Sequence, residues 1–141
     1  MAWWIYKCRV PPRAEQHAYG DWNDYFRDPT DHWGNVEWTS DLLQLSDGDM
    51  VIAYQTNRNE LVGVVKVTQA RDQRGFVYFS PVERIGAKVR PLKEKDPNIA
   101  AIGALQPGWI ATLYPISPGD ADVLLKAARA TKRAPRRPSR R

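Results

Sequence analysis

The sequence predicts an α+β chain in which five to six short, mostly antiparallel strands form a small closed barrel flanked by short helices. Three observations carry this. Met50-Val51-Ile52-Ala53-Tyr54 and Leu61-Val62-Gly63-Val64-Val65-Lys66-Val67 are apolar, β-branched runs joined by the polar stretch Gln55 to Glu60, which is the pattern of an antiparallel hairpin. Neither run alternates cleanly between polar and apolar residues, so both strands are expected to be covered on both faces. Further aromatic or β-branched runs occur at 3–8, 76–79 and 109–114, and a helical pattern follows them near the C-terminal end.

Taken in order, Trp3 to Cys8 reads as the first strand, stopped by Pro11-Pro12. Ala14 to His32 reads as a broken helix plus loop. Asp21, Asp24, Asp28 and Asp31 would share one face of an unbroken helix and resemble a metal-binding cluster. Pro29, however, biases Asp28 away from the helical region, and aspartates serve caps and turns, which is the reading favoured. Trp33 to Trp38 is a compact segment with Gly34 between its two tryptophans, and Thr39 or Ser40 can cap a turn of helix over Leu42 to Leu45. Gly48-Asp49 makes the turn into the hairpin. Gly63, inside a strand, marks a bulge or a place where another backbone or a ligand comes close.

Phe76 to Phe79 is expected as a strand bounded by Pro81, and residues 82–90 as a weaker segment, either a bent strand or the end of one. Lys93 to Ile99 reads as a charged loop, and Ile99-Ala100-Ala101-Ile102 as a short helix before Gly103. Trp109 to Tyr114 is the last strand. Ser117 then caps a helix over 121–130, with Pro118 suited to the first helical position and Asp120 near the positive end of the dipole.

With 141 residues the chain is one domain by size, and six tryptophans in that length imply a thick core or a stacking site. The lone Cys8 allows no internal disulfide, and Lys7 and Arg9 interrupt the apolar opening too early for a signal peptide or a spanning helix. A soluble, cytoplasmic, monomeric protein is expected, with no membrane contact. Six of the 21 basic residues lie in 132–141 with no acid among them, leaving 15 against 16 acidic residues elsewhere. The division is therefore a near-neutral domain over 1–131 and a disordered basic tail over 132–141. Lys132, Arg133, Arg136, Arg137, Arg140 and Arg141 would attract nucleic-acid phosphates without regard to sequence. A tail that only aids solubility is the alternative.

Catalytic signatures are missing from the sequence. The two histidines, His17 and His32, and the single cysteine have no zinc-ligand spacing. Neither G-x-S-x-G nor a glycine-rich phosphate loop occurs. What is present is an aromatic and amide inventory: Trp33, Trp38, Tyr54, Phe76 and Tyr78, with Asn35, Gln55, Thr56 and Asn57 among them. Flat rings to stack on and amides to meet a Watson–Crick edge are what an extruded nucleobase requires. Plain core packing of the same rings is the competing reading.

The ordered set Trp4 to Cys8, Trp33-Gly34-Asn35, Trp38-Thr39-Ser40, Leu42 to Leu45, Gly48-Asp49, Val51 to Tyr54, Gly63 to Val67 and Trp109 to Tyr114 resembles that of EVE domains. The likeness covers nearly the whole chain except the tail. EVE domains are PUA-like barrels related to YTH and ASCH domains, so the resemblance implies a PUA-like fold and a non-enzymatic reader of modified bases in DNA or RNA; from the residue inventory, no cofactor and no metal is expected. It implies Trp33 or Trp38 as a wall of an aromatic cage and Asn35 as a base-edge contact. Tyr54, Gln55, Thr56 and Asn57 would form the rim, and Lys7 and Cys8 the floor. A nuclease or other protein partner is compatible with this. Two alternatives stay open: an ASCH-like enzyme acting on a modified nucleoside or small RNA through Lys7 or an aspartate of 21–31, and a protein-interaction module with a flat apolar patch.

Overall fold

The computed structural model describes residues 1–8, 32–33, 44–70, 77–106 and 113–133, and for Cys8, His32, Trp33, Asn57, Lys132 and Arg133 the backbone only. The expected hairpin is present. Strand β3, Met50–Gln55, pairs antiparallel with β4, Glu60–Gln69, through a 3-10 turn over Thr56–Arg58. Strand β1, Trp3–Cys8, runs parallel to β3, and the antiparallel β6, Leu113–Ile116, pairs on its other side. Beyond β4 come β5, Val77–Lys88, and the two-residue β2, His32–Trp33, giving the order β2-β5-β4-β3-β1-β6. The described pairings leave β2 and β6 at the two edges, so they do not close the sheet into the expected barrel.

Both faces of the sheet are covered, as the unbroken apolar runs require. Ile5, Ile52, Tyr54, Leu61 and Val64 pack on one face with side chains of three helices. Trp4, Val51, Ala53, Val65 and Phe79 form the layer on the other. Each buried large aliphatic or aromatic side chain contributes about 1.5–3 kcal/mol relative to exposure, so both layers hold the strands in register.

Gly63 sits where the β3–β4 register shifts, Ala53 pairing with Gly63 and Tyr54 with Leu61, so Val62 is the extra residue of a bulge. Across from it, Gly86 of β5 adopts φ +74, a conformation that suits glycine.

Two expectations along this stretch are corrected. Pro81 does not end a strand: β5 runs through it. Pro81 pairs with Val65 beside a register shift, and β2 pairs only with Val77 and Tyr78, so the missing N–H of Pro81 interrupts no regular ladder. The charged loop expected at 93–99 is mostly helical, α1 over Val89–Lys95 and α2 over Pro97–Ala100. Pro91 is compatible with α1 because it lies in the first turn, where backbone N–H groups have no helical acceptor, and Val89 and Leu92 bury one face. Asp96 then caps α2 by accepting from the Asn98 amide at 2.9 Å.

The C-terminal helix α3, Pro118–Arg133, starts as expected, the Asp120 amide donating to Ser117 Oγ at 3.0 Å. It continues past the expected end and includes Lys132 and Arg133 from the segment read as a disordered tail. Alanine, lysine and arginine are good helix formers, and cations suit a helix C-terminus. Residues 134–141 lie outside the described residues. Arg129 of α3 grips Glu83 of β5 with two nitrogens, Nε at 2.9 Å and Nη2 at 2.8 Å, tying the helix to the sheet.

Candidate functional site

Because β1 and β3 run parallel, both finish at the same end of the sheet. Their register sets Lys7 beside Tyr54 and Cys8 beside Gln55, and Gln55 faces Glu60 on β4. The Thr56–Arg58 turn follows at once. Six residues expected at a site from the sequence, Lys7, Cys8, Tyr54, Gln55, Thr56 and Asn57, are thus brought to one place from two distant segments.

Strand alternation divides this group. Met50, Ile52 and Tyr54 point into the helix-covered layer, whereas Val51 and Ala53 point into the other, and Gln55 follows the second set. On the helix-covered side, the Tyr54 hydroxyl donates to Asn59 Oδ1 at 2.7 Å, and burial raises the Tyr54 pKa. Asn59 is held in a left-handed conformation at φ 51 while its carbonyl accepts from the Val89 amide at 2.9 Å. The Lys7 ammonium lies 5.8 Å from the Tyr54 ring centre and 5.5 Å from that of Tyr114, within cation–π range of both. Burial, and then the Lys93 ammonium, lower the Lys7 pKa. Lys93 is itself anchored, donating to the Leu105 carbonyl at 3.2 Å.

On the opposite side Gln55 is 1% exposed, and its Oε1 has no hydrogen-bond partner among the described residues. Leaving a buried amide oxygen unmet costs roughly 1–3 kcal/mol, and most buried polar side chains in natural folds have a partner in the protein or in ordered water.

Not every expected residue converges here. Trp33 lies on β2, opposite Val77, three strands from β3 in the sheet order. Tyr78, the neighbour of Val77, pairs with Gln69 at the far end of β4 from Glu60. The ladder therefore sets Trp33 at the corner diagonal to Gln55. Asn35, Trp38, Phe76, Trp109, His17, the aspartates at 21, 24, 28 and 31, and Arg136, Arg137, Arg140 and Arg141 lie outside the described residues. Sequence reading missed Asn59, Lys93 and Tyr114 as neighbours of the group. Only the Tyr114 run was legible as a strand; the proximity of Asn59 to Tyr54, and of Lys93 and Tyr114 to Lys7, depends on how the chain packs.

Among the described residues no group of three or more His, Cys, Asp or Glu side chains could hold a metal ion. Among the same residues, no helix is long and apolar enough to cross a membrane.

No family model and no curated protein matches the chain by sequence. Solved structures do match by shape. A protein of Rhodopseudomonas palustris is similar over 92% of this chain and 94% of its own, with TM-score 0.71 and 15% identity. A hypothetical protein of Leishmania major covers 94% of this chain and 98% of its own, with TM-score 0.70 and 16% identity. Human THYN1, solved in complex with 5-methylcytosine-containing DNA, covers 96% of this chain and 100% of its own, with TM-score 0.63 and 14% identity. The parallel β1–β3 pair, the long β3–β4–β5 ladder and the packed C-terminal helix therefore belong to a shared architecture. By fold, this chain is similar to these proteins, with the α+β architecture expected from the sequence.

Proposed function

We propose that this domain is a non-enzymatic nucleic-acid-binding module that receives one modified, extruded base of DNA or RNA at the paired ends of β1 and β3. The observation that carries the reading is the parallel pairing. It gathers Lys7, Cys8, Tyr54 and Gln55 beside the Thr56–Arg58 turn, in a fold shared with a protein solved on 5-methylcytosine DNA. In this reading an indole supplies the stacking wall, Asn35 and the 55–57 turn supply polar contacts, and the arginines at 136, 137, 140 and 141 add phosphate attraction. Trp38 is favoured over Trp33 as the wall, because Trp33 is paired at the far corner of the sheet.

The test is fluorescence anisotropy with one duplex carrying a single 5-methylcytosine, its unmodified twin, and the corresponding RNA pair. Tighter binding of the modified member is expected. Trp38→Ala should weaken it by roughly 5–150-fold, the equivalent of removing one base–aromatic stack. Truncation after Arg133 should flatten the salt dependence, by about 0.9 in log–log slope for each duplex phosphate that the tail neutralises, without changing the preference. Equal affinity for modified and unmodified oligonucleotides would remove the reading.

Lys7 supports a second, enzymatic reading, since a lysine near two tyrosine rings whose pKa is lowered gives up its proton more readily, and its neutral amine accepts one. It shares the Tyr54 side of the sheet, away from Gln55. Turnover of a modified nucleoside that disappears in Lys7→Met would favour this reading over pure binding.

A further inference from the structure

We propose that Gln55 reads the hydrogen-bonding edge of the bound base. Its unmet carbonyl oxygen takes an N–H from the base, so the site favours a ring that presents an amino group there over the same methylated ring without one. This inference rests on the base-binding reading above.

The observation is a polar atom out of place. Gln55 is 1% exposed, and Oε1 finds no donor among the described residues. Its position explains why none is at hand. Gln55 is the last residue of β3, at the border of a layer built mainly of aliphatic side chains such as Val51, Ala53, Val62 and Val65. The Trp4 indole N–H in that layer is already given to Asp49 Oδ2 at 3.0 Å. An acceptor without a protein donor in such surroundings is unfavourable in the free protein and gains once a ligand supplies one. The 4-amino group of 5-methylcytosine is such a donor. A 5-methylpyrimidin-2-one keeps the ring, the methyl group and the ring-nitrogen acceptor but has no N–H to offer. Turning the amide over would let its NH2 end meet that ring nitrogen, yet the oxygen would still lack a donor.

The experiment uses the full chain and three duplexes carrying cytosine, 5-methylcytosine or 5-methylpyrimidin-2-one at one position opposite an abasic site, so that no base pair is lost with the amino group. Wild type should bind the pyrimidinone duplex roughly tenfold or more weakly than the 5-methylcytosine duplex. In Gln55→Met that ratio should fall to about one. The free variant should melt no lower than wild type, since the substitution removes an unmet polar atom and keeps the side-chain length. Equal wild-type affinity for the pyrimidinone and 5-methylcytosine duplexes, with 5-methylcytosine still preferred over cytosine, would overturn the role of Gln55 and leave base binding standing. A Gln55→Met protein that melts lower would show the amide to be structural and would also overturn it. No preference for 5-methylcytosine over cytosine would remove the base-binding reading, and this inference with it.

Discussion

Strand β3 is bracketed by two buried polar side chains that differ in one respect. Asp49, 4% exposed just before the strand, has its acceptors met: Oδ1 takes the Ala2 amide at 2.9 Å, and Oδ2 takes the Ser46 amide and the Trp4 indole, each at 3.0 Å. Gln55, at the other end of the strand, keeps an acceptor unmet among the described residues. The Asp49 end ties the start of β1 to the turn that launches the hairpin, so its polar group is spent on folding. The Gln55 end carries a polar group that folding does not use, beside the turn and the end of the parallel neighbour. A satisfied polar cluster and an unmatched acceptor on a single strand thus separate the end that holds the sheet from the end proposed to meet a base.

The largest effect expected from this contrast is at Asp49. Asp49→Ala strands three donors and should lower the unfolding free energy by about 2–4 kcal/mol in urea titrations, leaving any preference for the modified oligonucleotide intact. A loss well under 1 kcal/mol would show that water replaces the carboxylate, and the contrast between the two ends would weaken.

The pH dependence sharpens the same point. Burial by itself raises the pKa of the Asp49 carboxyl, but the Ala2 and Ser46 amides, the Trp4 indole and the N-terminal ammonium outweigh it and hold the pKa below its ordinary value. A depressed carboxylate contributes fully above its unfolded pKa, near about 4, and loses that contribution as pH falls through the lower folded value. Wild type should therefore exceed Asp49→Asn in stability at neutral pH, and the gap should narrow progressively below about pH 4. A gap independent of pH would mean that the carboxylate charge plays no part.

The smallest effect tests the division between faces. Tyr54→Phe removes one hydrogen bond to Asn59 and should cost about 1 kcal/mol in stability. Since Tyr54 and Gln55 point to opposite sides of β3, base discrimination in the anisotropy assay should be unchanged. Loss of discrimination would show that both faces build one site.

Local elements were largely legible because short-range rules govern them. The β-branched runs around Ala53 and Val64 have no stable alternative to pairing, Gly63 marks its bulge, and Ser117-Pro118 starts a helix whatever lies around it. Prolines misled where neighbours decided their meaning. Pro81 passes through β5 because the opposing ladder is already irregular there, and Pro91 falls in a first turn whose existence depends on Val89 and Leu92 finding a core. Candidate site residues were legible by themselves only as types, aromatic and amide; the family resemblance grouped Lys7 and Cys8 with the stretch from Tyr54 to Asn57, and the parallel register sets them side by side.

The sequence by itself determined the hairpin, the terminal helix, the apolar layers and the basic character of the C-terminal end, since each follows from side-chain pattern within a few residues. Only the tertiary structure decided that β1 lies parallel to β3, which brings Lys7 and Cys8 to Tyr54 and Gln55 while leaving Trp33 on a far edge strand. Only it showed that Asp49 is satisfied and Gln55 is not. The reason is physical: hydrogen-bond satisfaction depends on partners tens of residues away, and no local pattern encodes which of two buried polar groups will find them.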